Sequence, residues 1–219
     1  FLPVFLVLQQ PDFGSAAIIV AIWVGMLAAS GLNKKNLLVL ALIGAALFSA
    51  GWFFLKDYQK SRIKNFITPY EDPRGSGYNA IQSIVAVGSG GIWGKGLGHG
   101  SQGQLNFLPE KRTDFIFAVI AEELGLVGSG IVLILFGILL YRMKEVARLA
   151  RDNFGYLITI GIMIMFSVQI LVNVGMNIGM SPVAGVTLPL LSYGGSSMVS
   201  VLAAIGIIQS IYVRRTKVL

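Results

Sequence analysis

The chain has 219 residues and a net charge of +7; it is 55% hydrophobic and only 12% charged, with a mean hydropathy of +0.75. An ordinary soluble domain carries about twice that charge fraction, so the composition points to a membrane protein, in which +7 reads as basic cytoplasmic loops and contacts with anionic headgroups rather than as a nucleic-acid footprint; no nucleic-acid-binding motif is present. Cysteine is absent, which rules out disulfides and thiolate metal sites.

A membrane-spanning helix needs roughly 20 mostly apolar residues, and several blocks meet that length. The fold class expected is all-α: a polytopic helical membrane protein with about five full spans plus a partial one. Phe1 lies inside an apolar run with no charged n-region or cleavage site, so it begins no signal peptide; the chain reads as the C-terminal piece of a larger protein.

In chain order, residues 1–10 are too short to span. Pro11 interrupts them, and Asp12 is a good N-cap for a helix over about Gly14–Leu32. A basic turn at Lys34-Lys35 leads to a span over Asn36–Leu55. A long polar stretch, 56–114, follows. Phe115–Tyr141 spans again, and 142–153 is a basic connector with Arg142, Lys144, Arg148 and Arg151. Phe154 to about Met180 is a further span. The last block, Pro182–Val213, contains Pro189 and Gly194-Gly195 and is too broken for one plain helix. No tandem repeat or soluble second domain interrupts this single membrane domain, 1–219.

Sidedness follows from the basic residues. Lys34-Lys35, the 142–153 connector and the 214–217 tail hold nine of the 17, so the positive-inside rule places them in the cytoplasm. The parity of the spans then puts 56–114 outside, although it carries eight basic and five acidic residues of its own.

Within that outward loop, residues 57–66 place Lys60, Arg62 and Lys64 beside Tyr58 and Phe66. They read either as interfacial snorkelling or as a docking surface for an anionic lipid headgroup. Ile81, Ile84 and Val85 fall at helical spacing, predicting a short amphipathic helix over 79–87 on or dipping into the membrane. Gly88–Gly100 has seven glycines in thirteen residues without the spacing of a P-loop or dinucleotide fingerprint. It is either a flexible loop or a close-approach loop for a ligand. His99 is the only histidine, so a metal site there is not expected.

Asp114 closes the loop, and helix capping and catalysis are both open to it. Glu122 and Glu123 lie two turns into the following span, where carboxylates are costly and are functional candidates by default. Neighbours on a helix point about 100° apart, so both cannot face one cavity; one of them is expected to contact another helix.

Three stretches resemble signatures of the SEDS (shape, elongation, division and sporulation) family: Gln10-Pro-Asp-Phe-Gly14; Asn106-Phe-Leu-Pro-Glu-Lys-Arg-Thr-Asp114, continuing to Leu126; and Asn173-Val-Gly-Met-Asn-Ile-Gly179, continuing to Ser197. The 62–83 and 99–109 segments resemble the elongation branch more than the division branch. Many members have His immediately before Thr-Asp where this chain has Arg112, so no role for that His carries over. The resemblance implies a ten-span fold, of which this chain supplies roughly the last six spans, the first incomplete.

It also implies peptidoglycan glycosyltransfer: polymerisation of Lipid II into glycan strands at the outer face of the bacterial cytoplasmic membrane, partnered by a class B penicillin-binding protein. The catalytic Asp of the family falls on Asp114. One carboxylate acting as general base suffices for an inverting displacement, since pyrophosphate leaves without protonation; burial must then raise its pKa from about 3.9. Arg62, Lys111 and Arg112 are the candidate cations for the departing pyrophosphate, and a divalent cation is a possible cofactor without a clear ligand set. Asp12 is the second acidic candidate, with an N-cap as its other reading. Ser192, Tyr193, Gly194, Gly195 and Ser196 are expected to shape a kinked or re-entrant segment lining the cavity. The rival functions are a Lipid II flippase, a scaffold for the penicillin-binding protein, and a division-type transferase. An acid at a water-facing boundary separates the enzyme from a transporter, whose sites sit near the bilayer midplane.

Overall fold

The computed structural model describes residues 2–10, 12–33, 35, 36, 38–40, 42, 44, 57–68, 77–101, 108 and 110–214. Among them the elements are helices: α1 (Leu2–Gln9), α2 (Phe13–Ala29), α3 (Asp57–Ile67), α4 (Tyr78–Ser89), α5 (Ile116–Arg148), α6 (Asn153–Asn177) and α7 (Gly195–Val213). Most of the span predicted over 36–55, the turn at 69–76 and the 215–217 tail lie outside the described residues.

α5, α6 and α7 are long and apolar enough to cross a membrane, their most apolar stretches averaging hydropathies of 2.4, 2.2 and 1.8. α2 is apolar but has 17 residues. The chain is therefore a multi-pass helical membrane protein, as its composition requires.

The boundaries differ from the sequence-based expectation in instructive places. α2 begins where predicted because the Asp12 carboxylate accepts hydrogen bonds from the Ser15 amide (3.0 Å) and hydroxyl (2.6 Å), satisfying donors that a helix start leaves orphaned. α6 is capped alike, Asp152 accepting from the Gly155 amide at 2.7 Å. The connector predicted over 142–153 is mostly helix. α5 runs on to Arg148, so Arg142, Lys144 and Arg148 ride on its last turns. Residues 57–67, read only as a charged surface, form α3. The amphipathic helix predicted at 79–87 is α4; it buries Ser83 and Ala86 and packs on α5.

α6 is the central element, packed against α5 and α2. Phe117 and Phe136 of α5, Phe166 and Ile170 of α6, and Val201 and Ala204 of α7 share one core with Leu188. In lipid the hydrophobic effect does not drive such helices together, so close packing and internal hydrogen bonds must do so.

α5 is broken at Gly125, whose φ of 66° and ψ of −163° are not helical. A break frees carbonyls before it and amides after it, and buried backbone groups must find other partners. The glycine-rich loop supplies them. Lys95 and Gly96 amides donate to the Glu122 and Glu123 carbonyls (3.0 and 2.9 Å), and the Leu126 and Val127 amides donate to the Gly91 and Ile92 carbonyls (2.9 and 3.1 Å). Gly94 lies so close that a Cβ there would collide with the Glu123 carbonyl. The run Gly88–Gly100 is thus a packed brace, in which Gly90 and Gly94 allow backbone-to-backbone approach to α5.

Candidate active site

The site is built on the turn that feeds α5. Thr113 and Phe115 amides both donate to the Glu110 carbonyl at 3.2 Å, while the Thr113 hydroxyl donates to the Glu110 carboxylate at 3.0 Å. The N-cap of α5 is Phe115, with no side-chain capping bond. Asp114 is therefore not the cap. The amide of Ala118, which a cap side chain commonly takes, donates instead to Asn177 Oδ1 of α6 at 3.2 Å. Capping from a neighbouring helix leaves the Asp114 carboxylate for other work.

Three successive carbonyls of this segment are pinned. The Arg112 carbonyl accepts from the Tyr193 amide (2.8 Å) and that of Thr113 from the Ser192 hydroxyl (2.6 Å). The Asp114 carbonyl accepts from Asn173 Nδ2 (2.9 Å) and Asn177 Nδ2 (3.1 Å). Asn173 and Asn177 are wholly buried and one helical turn apart on a single face of α6. Asn173 Nδ2 also donates to the Val186 carbonyl (2.7 Å), tying the post-α6 segment to the same point. Ser192 in turn accepts from the Leu188 amide at 2.7 Å. Between them Leu190 holds a φ of 65°, a conformation costing roughly 1–2 kcal/mol for a residue with a side chain, which these bonds offset.

The irregular stretch predicted before α7 is present, and it acts as a clamp. Ser192 and Tyr193 meet the Asp114 segment through a hydroxyl and a main-chain amide; Tyr193 as a residue is 76% exposed. Gly194 caps α7, and Gly195 and Ser196 begin it, both exposed. Among the described residues none of these three bonds the 110–115 turn.

The Asp114 side chain is half-buried, and among the described residues no hydrogen bond or ion pair reaches its carboxylate. A Cβ added at Gly185 would stand 3.7 Å from its Oδ2, so the carboxyl faces the Gly185 turn. Desolvation, first, pushes its pKa above the ordinary carboxylate value. The neighbouring Glu110 carboxylate pushes it further, Arg62 opposes the shift, and Asp12 adds to it. A carboxyl that is raised, unbonded and rigidly based can take a proton from a bound hydroxyl.

Of the other predicted residues, Arg62 and Asp12 come into the field of Asp114. Asp12 does so while both its oxygens are engaged by Ser15. The groups that set the Asp114 environment do not include Lys111, half-buried, or Arg112, whose side chain is exposed. Among the described residues no three His, Asp or Glu side chains converge on a possible metal position.

Glu122 is wholly buried and paired with Lys95 Nζ at 2.7 Å; Ser101 donates to the same oxygen at 3.2 Å. Glu122 therefore meets Lys95 of the glycine-rich brace and Ser101, a helical residue just beyond it, where the break at Gly125 opens α5 to that loop. Beside the site, a cavity of about 340 Å3 lies between α3, α4 and the end of α6. Its lining includes Arg62, Asn65, Phe66, Asn79 and Ser181.

Sequence reasoning missed Asn173 and Asn177 as site residues, although a signal was there: two amides at i, i+4 on an apolar helix must find buried partners. It also missed Lys95, Gly185 and Glu110, whose roles depend on contacts between distant segments.

Fold and site together define a multi-pass membrane protein that holds a half-buried carboxylate at the mouth of a broken helix. The chain belongs to the FtsW/RodA/SpoVE family of cell cycle proteins, whose profile matches residues 1–217. It is 46% identical over 216 residues to the peptidoglycan glycosyltransferase MrdB of Escherichia coli K12, covering 98% of this chain and 58% of that protein. It is 40% identical over 206 residues to the stage V sporulation protein E of Bacillus subtilis, covering 94% and 56%. Among solved structures, a peptidoglycan synthase complex described as coordinating polymerization and crosslinking superposes with a TM-score of 0.80 at 34% identity, covering 98% and 59% of the two chains. An aspartate-to-alanine mutant of the Thermus thermophilus rod shape determining protein RodA superposes at 0.63 and 28% identity, covering 98% and 54%. The chain thus spans little more than half the length of these relatives.

Proposed function

We propose that this chain is the larger part of one membrane domain of a peptidoglycan glycosyltransferase. The whole protein polymerises Lipid II at the outer face of the bacterial cytoplasmic membrane during cell elongation, beside a class B penicillin-binding protein that crosslinks the product. The similarity to MrdB supports the activity, and the similarity to a synthase complex supports the partner. One observation carries the site: the Asp114 carboxylate, half-buried and without a hydrogen bond or ion pair among the described residues, sits on a backbone pinned at three consecutive carbonyls.

In the reaction, the acceptor hydroxyl oxygen bonds to the anomeric carbon of the donor strand as the bond from that carbon to pyrophosphate breaks. The hydroxyl proton passes to Asp114, and the pyrophosphate departs with the bonding electrons. The raised pKa suits Asp114 to general-base work. Arg62 is the nearby cation for the developing negative charge. Among the described residues no three His, Asp or Glu side chains form a ligand set for a divalent cation, and no step is routed through one.

The test uses full-length protein with its partner and Lipid II in detergent. Asp114→Asn is expected to abolish glycan synthesis while the protein still binds Lipid II. Normal strand synthesis by that variant refutes the base assignment. A wild type that makes no glycan yet moves Lipid II across liposomes would establish the flippase instead.

A further inference from the structure

The glycine-rich brace serves α5 through its backbone and leaves its large side chains uncovered. Ile92, Trp93 and Leu97 are 60, 81 and 72% exposed. Three open apolar side chains within one short loop form a patch, not the isolated exposures common on any surface, and such a patch marks a contact with a protein or a membrane. Continuity favours the membrane. The Leu126 and Val127 amides donate to the Gly91 and Ile92 carbonyls, which holds the loop against a stretch of α5, residues 124–141, that carries no Asp, Glu, Lys or Arg. That stretch also leaves Leu126, Ile134 and Leu135 open, as a membrane-crossing helix does toward lipid tails. Ile92 and Trp93 extend this surface at the end of α5 nearer Asp114. Trp is a side chain enriched at the membrane boundary, its ring among acyl chains and its N–H among headgroups.

The polarity of the loop points the same way. Lys95 is the one Asp, Glu, Lys or Arg in Gly88–Gly100, and its ammonium turns back onto Glu122 (2.7 Å) and Ser101 (3.1 Å). The Gly94, Lys95, Gly96 and His99 amides all donate to main-chain carbonyls, and His99 Nδ1 stands 3.1 Å from the Leu97 carbonyl. In water such groups need no internal partners; irregular backbone beside lipid does. We propose that residues 92–97 are a membrane-interface anchor, seated in the headgroup–acyl boundary of the leaflet on the Asp114 side. The anchor sets the depth of the brace, and the brace holds residues 122–127 of α5 by four main-chain bonds. The height of the Asp114 turn over the lipid is set in consequence. That consequence serves a lipid-carried substrate and rests on the glycosyltransferase reading; the anchor itself does not.

The experiment uses full-length protein with its partner, reconstituted in bilayers of phosphatidylethanolamine and phosphatidylglycerol. Any cysteine elsewhere is replaced by serine, and a nitroxide spin label is placed at Ile92→Cys or Leu97→Cys. Collisions are read with oxygen, which concentrates in lipid, and with a neutral nickel chelate, which stays in water. Both labels are expected to meet oxygen more than nickel, by a smaller margin than a label at Ile134→Cys further along α5. Trp93→Ser is expected to raise nickel collisions at both labels several-fold. It is also expected to lower kcat for glycan synthesis several-fold in bilayers while leaving kcat in detergent unchanged. Nickel dominating at both labels puts the loop in water and overturns the anchor. So does a label reached by neither reagent, which means protein covers the loop: the partner if removing it restores collisions, otherwise a part of the full-length protein outside this chain. Unchanged collisions in Trp93→Ser overturn it as well. If the labels meet lipid but Trp93→Ser leaves kcat in bilayers unaffected, the anchor stands and its link to the base fails. A wild type that makes no glycan defeats the glycosyltransferase reading and leaves the label result to decide the anchor.

Discussion

Asn177 offers the sharpest test of how the base is held. Its Oδ1 accepts from the Ala118 amide (3.2 Å) and its Nδ2 donates to the Asp114 carbonyl (3.1 Å) and the Asn173 carbonyl (2.7 Å), all in a wholly buried setting. Asn177→Leu keeps most of the volume but orphans the Ala118 amide, at a cost of about 1–3 kcal/mol for an unsatisfied buried donor. The Asp114 carbonyl keeps its second donor, Asn173 at 2.9 Å, so the carboxylate should shift by a fraction of an ångström. A misplacement of about 1 Å costs on the order of a hundredfold in rate; a fall in kcat of about tenfold is therefore expected from the single change. Removing both donors with Asn173→Leu and Asn177→Leu should cost well over about a hundredfold, exceeding the product of two roughly tenfold single effects because each residue covers for the other. KM for Lipid II should move little, since neither side chain is exposed to a ligand. The assay is initial-rate glycan synthesis by full-length protein with its partner, alongside thermal unfolding in detergent. A folded double variant with kcat within twofold of wild type would refute the positioning argument.

Two further predictions follow from the charges around the turn. The acid limb of kcat/KM should lie above the usual carboxylate range because burial disfavours the charged form of Asp114. Arg62→Ala, removing the group that opposes the shift, should move that limb to higher pH, and Glu110→Gln should move it to lower pH; limbs that do not move, or move the other way, assign the titration to another group. Lys95→Met removes the cation paired with the wholly buried Glu122 carboxylate and should cost about 3–5 kcal/mol, whereas Lys95→Met with Glu122→Met should recover most of it. Unfolding midpoints measure both, and an equal loss in the single and double variants would show the pair is not what holds the brace.

Much of the fold was legible because membrane insertion imposes a length rule that a run of apolar residues cannot hide. The spans at 116–148, 153–177 and 195–213 follow from it, as does the irregular stretch before the last. The α5 break was not legible. Gly125 sits in an apolar run like any tolerated glycine, and its non-helical backbone exists only because Gly91 and Ile92 stand ready to accept the freed amides. Asp114 and Arg62 could be singled out from the sequence, but their setting could not. Capping and catalysis are indistinguishable for an Asp at a helix start until the cap is seen to come from Asn177, 63 residues away.

The division of labour around α5 explains why one carboxylate draws on so much of the chain. A general base needs a fixed position and a free side chain, and these demands conflict when the residue stands at a helix start, where orphaned amides attract any nearby carboxylate. Asp12 and Asp152 show the outcome elsewhere in this chain: each bonds an amide three residues on. At Asp114 that outcome is prevented from three directions. Asn177 takes the Ala118 amide, Glu110 takes the Phe115 amide with its carbonyl, and the 188–193 clamp with the two asparagines fixes the backbone through carbonyls alone. The position is thereby set without spending the carboxylate. What remains is a half-buried acid whose own desolvation raises its affinity for a proton, in reach of a cation and a polar cavity. The brace at Gly125 extends the same logic, since a short first segment of α5 pinned at both ends leaves the turn before it little room to move.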